Sequence, residues 1–178
     1  MLIPIAKPEE REIYKACQEL KDLYKDGKVV GVYAASYIND QWYYVLGKTI
    51  LKDNKVETID RCVIYGEESV DWDAAILKFI SFLDGADVVI NYAEYEVLDS
   101  EEHNIENIDI EKLAMWCQYY FHYRGIDTLD IEYARSTFEY GEGVEGIDMY
   151  EELTDLINII LADYEAILEQ DKEKNKAE

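Results

Sequence analysis

The apolar positions along the chain change period twice. Over residues 9–27 they recur at helical spacing, with Ile13, Cys17, Leu20 and Tyr24 on one face. Pro8, Glu9 and Glu10 form a helix start, since acids favour the positive end of the helix dipole, and Asp26-Gly27 forms its end. From Lys28 to Tyr65 the pattern becomes that of strands. Three apolar runs, Lys28 to Ile38, Gln41 to Leu51 and Lys55 to Tyr65, are separated only by Asn39-Asp40 and Asp53-Asn54. Connections this short leave room for nothing but hairpins, so the three runs predict an antiparallel meander.

After Gly66 the helical period returns. Trp72, Ile76, Phe79, Ile80 and Leu83 mark an amphipathic helix that Gly85-Ala86 closes. The short apolar run Asp87 to Tyr92 then reads as a buried strand reached by a helical crossover. The remainder is expected to be helical, over about 107–123, about 128–139 and about 146–170. In the last of these Tyr150, Leu153, Ile157, Ile160, Tyr164 and Leu168 form the apolar face. The pattern therefore predicts one α/β (α+β) domain over residues 1–171. Its mixed sheet combines the antiparallel three-strand meander with a crossover strand, and helices flank it. Residues 172–178, rich in lysine, read as a frayed, disordered tail.

Charge changes the picture more than length does. The chain has 178 residues, 40 Asp and Glu against 17 Lys and Arg, and a formal net charge of -23. Hydrophobic residues make up 49% and tyrosines number 16, which separates the chain from a disordered acidic tail. The charge is uneven. Residues 1–78 hold 14 acids and 11 bases, whereas residues 79–171 hold 24 acids and three bases, Lys112, Arg124 and Arg135. A surface this acidic argues against direct nucleic-acid binding, which requires Lys and Arg to replace phosphate counterions. It suits a basic partner instead.

Other chemistry is sparse. Cys17, Cys62 and Cys117 are widely spaced, with no CxxC pair, and read as reduced thiols of a cytoplasmic protein. The first residues resemble no signal peptide, and no apolar run has the length of a membrane span. His103 reads as part of an exposed loop, and His122 as a structural residue on an aromatic helix. The serines have no GxSxG context and the glycines form no phosphate loop. Glu139, Glu142, Glu145 and Asp148 are dense in carboxylates but lack the spacing of a calcium loop. No metal or cofactor is expected.

The order strand–strand–strand–helix–strand followed by helices resembles an RNase H-like domain. In detail it is similar to the DnaQ-like, or DEDD, family of 3′–5′ exonucleases. The best local match runs from Phe82 through Leu83-Asp84-Gly85-Ala86 and the apolar Asp87 to Ile90 into Asn91-Tyr92-Ala93-Glu94-Tyr95-Glu96. It resembles that family's helix, Gly-Ala, apolar strand and His-Asn-Ala-x-Phe-Asp segment. Ile64-Tyr65-Gly66 is similar to the family's His-Gly-Ile turn. The resemblance implies four carboxylates that hold two metal ions. The first strand, however, contains no acid where the family has Asp-x-Glu. Glu96 stands at the second Asp position, and Asp148 has neither the neighbouring His nor an Asp at Leu153. A fold of nuclease type without its metal site is what these departures imply.

In size and charge the chain also resembles acidic DNA mimics and the anti-defence proteins, anti-CRISPR proteins among them, of phages and mobile elements. The expected function is non-catalytic: the chain occupies the nucleic-acid-binding surface of a basic partner and inhibits it. Glu142, Glu145, Asp148, Glu151, Glu152 and Asp155 are the expected binding residues, because they lie off the apolar face of the last helix with no base between Arg135 and Lys172. Two other readings stay open. One is a divergent metal-dependent exonuclease using Glu96, Asp99 and Asp148 with acids from elsewhere in the chain; the other is an accessory structural subunit whose acids only keep it in solution.

Overall fold

The computed structural model describes residues 9–65, 72–93, 100–141 and 146–177. Helix α1 (Glu10–Asp22) starts with a capping box in which Glu9 and Glu12 reciprocally cap the first turn. A 3-10 turn (Lys25–Gly27), left-handed at Asp26 and Gly27, redirects the chain into the sheet. Strands β1 (Val30–Ile38), β2 (Gln41–Lys52) and β3 (Lys55–Ile64) form the expected antiparallel meander. Both hairpin turns, Asn39-Asp40 and Asp53-Asn54, have positive φ at their two central positions. This is the type I′ geometry that matches strand twist, and Asn and Asp tolerate it better than other non-glycine residues.

Helix α2 (Trp72–Phe82) then crosses one face of the sheet and delivers β4 (Val88–Asn91) parallel to β1. A single-turn helix α3 (Ser100–His103) precedes β5 (Glu106–Asp109), which pairs parallel with β4. The five-stranded mixed sheet has the order β3-β2-β1-β4-β5. Helices α4 (Glu111–Tyr123), α5 (Leu129–Tyr140) and α6 (Gly146–Ala177) follow. Three differences from the sequence reading stand out. Residues 106–109 form an edge strand rather than the start of a helix. His103 ends α3 with its side chain largely covered, rather than lying in an exposed loop. The last helix continues through residues 172–177, where a frayed tail was expected. That stretch holds no Gly or Pro, its lysines lie at the negative end of the helix dipole, and Lys172 reaches Glu169 three residues earlier.

The sheet separates two apolar layers. On the α2 side Tyr33, Leu46, Ile64 and Val89 pack with Ala75, Phe79 and Leu83. On the other side Val30, Val32, Val45 and Ile90 pack with α1, α4, α5 and above all α6. Tyr150 and Asn158 tie α6 to the meander. The Tyr150 ring lies over Gly47, where a β-carbon would collide with its phenol, and its hydroxyl pairs with Thr58 Oγ1 at 2.8 Å. Asn158 acts as an extra strand partner: its Oδ1 accepts from the Val56 amide at 2.7 Å and its Nδ2 donates to the Val56 carbonyl at 3.1 Å. No helix among the described residues is long and apolar enough to cross a membrane.

Candidate functional site

Anchoring α6 by Tyr150 and Asn158 fixes which of its residues look outward. At about 100° per residue, Asp148, Glu151, Glu152 and Asp155 fall within an arc of about 100°. Leu153, Ile157 and Ile160 lie on the far side of the helix from that arc and Leu156 flanks it beside Glu152, all four fully buried. Asp148, Glu151 and Asp155 are exposed and Glu152 is half-buried. Four of the six expected binding residues thus share one rigid helix face. Glu142 and Glu145 lie outside the described residues.

The four are not equivalent. Asp148, Glu152 and Asp155, spaced i, i+4 and i+7, form a row of like charges. Partial burial raises the Glu152 carboxyl above the usual carboxylate range, and the neighbouring charges of Asp155 and Asp148 add to that shift. Glu151 points toward the sheet, where Arg61 of β3 approaches its carboxylate at 3.7 Å. The absence of a base between Arg135 and Lys172 therefore does not leave Glu151 unpaired, because the cation arrives from ninety residues earlier in the chain.

Farther along the same helix, burial pushes Asp163 up to about 6, with the charges of Asp130 and Asp127 from the α5 end adding to it. At the C-terminal end the situation reverses. Arg124, with its side chain 19% exposed, meets Asp171 Oδ1 at 2.6 Å and Glu10 Oε1 at 3.4 Å. It also donates to the hydroxyls of Tyr120 and Tyr14, while Tyr14 donates to Asp171. Hydrogen bonds from Tyr14 and Arg124 hold the Asp171 carboxyl below its usual range. Lys21 of α1 pairs with Glu165 in the same region. Arg135, 22% exposed, turns toward Gln118 and reaches Glu139 at 3.5 Å. Two of the three bases of the acidic half are thus engaged within the fold. Helical spacing permits the Arg135–Glu139 pair, but it gave no sign of the contacts of Arg124, Tyr14 and Lys21, whose partners lie up to 157 residues apart.

Of the carboxylates that the nuclease resemblance singles out, Asp148 is the one within the described residues. Strand β1 presents Val30 to Ile38 without an acid, and Asp148 sits on the exposed face of α6. Glu96 and Asp99 lie outside the described residues. Asn91, where the family-like segment begins to leave the strand, is buried at the end of β4; Ala93 follows with φ of 71° and donates its amide to Asp109. Among the described residues no three His, Cys, Asp or Glu side chains cluster in a way that would hold a metal ion. Comparison of the chain with protein-family models, with curated proteins and with solved structures gave no match.

Proposed function

We propose that the chain is a non-catalytic acidic binding protein that occupies the nucleic-acid-binding surface of a basic partner and inhibits it. The observation that carries this reading is the way the acidic half uses its cations. Arg124 and Arg135 turn into the fold, while Asp148, Glu152 and Asp155 line the outward face of α6 as like charges. Crowded, uncompensated carboxylates raise the energy of the folded chain, and a cationic partner relieves that repulsion on binding. Rigid presentation matters too, because a fixed row of charges on a helix can stand in for a row of phosphates.

The fold reading that accompanies this function is an RNase H-like domain of DnaQ-like exonuclease type without its metal site. Its support is the meander, the helical crossover to a strand parallel to β1, and a first strand free of acids. The test has two parts. Purified protein with magnesium or manganese should leave single- and double-stranded DNA and RNA intact, and metal-dependent degradation abolished by Glu96→Ala would replace the binding reading with an enzymatic one. Affinity capture at low and at high salt should then retain a basic nucleic-acid-binding protein only at low salt. That captured protein should lose its nucleic acid when the chain is added.

A further inference from the structure

The outward face of α5 carries exposed Leu129, Tyr133 and Tyr140 beside the small Ser136, where an exposed helix face is ordinarily polar. At about 100° per residue, Leu129, Tyr133 and Tyr140 fall within about 40° of one another. They lie opposite Ile131, Ala134 and Phe138, which pack inward, Phe138 stacking on Tyr92 at 4.3 Å between ring centroids. Leu129 is 67% exposed, Tyr133 65% and Tyr140 78%. Carboxylates border the stripe on both sides: Asp130 on the flank toward Asp163 of α6, Glu132 and Glu139 on the other. Arg135, the one cation of α5, turns toward Gln118 and reaches Glu139 at 3.5 Å, which leaves Asp130 and Glu132 as the flanking carboxylates it does not engage.

We infer that this stripe is the docking site for an arginine-rich segment of the basic partner. The inference rests on the proposed function and adds to it a second contact of different chemistry. Guanidinium groups stack on tyrosine faces and bond flanking carboxylates in a planar fork, so a Tyr stripe edged by Asp and Glu offers both halves of their recognition. Charge excludes the other occupants. A nucleic acid or an anionic membrane would bring its phosphates against Asp130, Glu132 and Glu139. A second copy of the chain would bring a further net charge of -23. Stacking selects arginine over lysine, whose compact, strongly hydrated ammonium gains less from an aromatic face.

The test uses the full chain, isotopically labelled, titrated with an oligo-arginine peptide and an oligo-lysine peptide of equal length. Resonances of Tyr133 and Tyr140 should shift with oligo-arginine, which should bind roughly fivefold more tightly than oligo-lysine. The triple variant Leu129→Ser, Tyr133→Ser, Tyr140→Ser should lose that preference while keeping its circular dichroism. The double variant Tyr133→Phe, Tyr140→Phe retains the rings and should retain the preference. Equal binding of the two peptides, with shifts confined to Asp148 through Asp155, would overturn the docking site and leave the proposed function standing. Failure of both peptides to bind at low salt would overturn both. Concentration-dependent dimers that vanish in the triple variant would assign the stripe to a second copy and overturn the inference.

Discussion

The two ends of α6 carry the same residue types in opposite electrostatic settings. Near its C-terminus Asp171 and Glu165 meet Arg124 and Lys21, and Tyr14 donates to Asp171, whose carboxyl is held low. Near its N-terminus Asp148, Glu152 and Asp155 face one another, and the Glu152 carboxyl is raised. The difference comes from what packs alongside. Helices α1 and α4 deliver cations and phenols to the C-terminal end, whereas Tyr150 over Gly47 and Asn158 on Val56 fix the N-terminal half to the sheet by apolar and amide contacts. One end of the helix is an internal joint. The other is a presented surface, and we assign partner binding to it.

Removing the anchor of the presented end should have the largest effect on stability. Gly47→Ala forces a methyl group into the Tyr150 phenol, and overpacking of this kind costs about 1–3 kcal/mol. Denaturant titration should show a lowered midpoint, and Gly47→Ala combined with Tyr150→Leu should recover part of the loss. At the joint, Arg124→Met should cost about 1–2 kcal/mol by leaving Asp171, Glu10 and two tyrosine hydroxyls short of a donor. The cost should be smallest in acid, where Asp171 is protonated. Its low folded-state pKa contributes stability present above the ordinary carboxylate range and lost as pH falls through the folded value. In Arg124→Met that part of the acid-side loss should shrink.

Asp163 sharpens the comparison because its pH dependence has the opposite sign. Its folded-state value, about 6, lies above that of an unfolded aspartate, so the folded chain keeps an extra proton over roughly pH 4–6. Stability should therefore fall as pH rises through that window. The groups facing it are Asp130 and Asp127 from the α5 end and the buried Cys117 of α4. Asp163→Asn should flatten the slope and raise stability at neutral pH by about 1 kcal/mol, after allowance for solvent screening. The smallest effect belongs to the presented row: Asp155→Asn alone should change stability by less than about 0.5 kcal/mol, with Glu152 titrating nearer its ordinary value by NMR.

Local rules made much of the sheet legible from sequence. Two two-residue turns of Asn and Asp between apolar runs permit only the meander, and the crossover helix follows from its own period. Residues 106–109 were not legible, because Glu-Asn-Ile-Asp has one apolar residue and becomes a strand only through pairing with β4. The candidate surface was half legible. Helical spacing places Asp148, Glu151, Glu152 and Asp155 off the apolar face of α6. It cannot show that Arg61 crosses from β3 to Glu151, or that Arg124 joins Glu10 of α1 to Asp171 of α6. Ion pairs between distant segments leave no periodic trace.

The most direct test of the assignment reverses the presented row together with Glu151 beside it, with Asp148→Lys, Glu151→Lys, Glu152→Lys and Asp155→Lys in one chain. Nucleic-acid release from the captured basic partner is followed by fluorescence anisotropy for wild type and variant across salt. The account predicts a loss of affinity on the order of 1–4 kcal/mol at low salt, slower association, and unchanged circular dichroism. The difference should narrow toward about 1 M salt, where screening acts over about 3 Å. Equal release by the two proteins at low salt, with the fold intact, would contradict it.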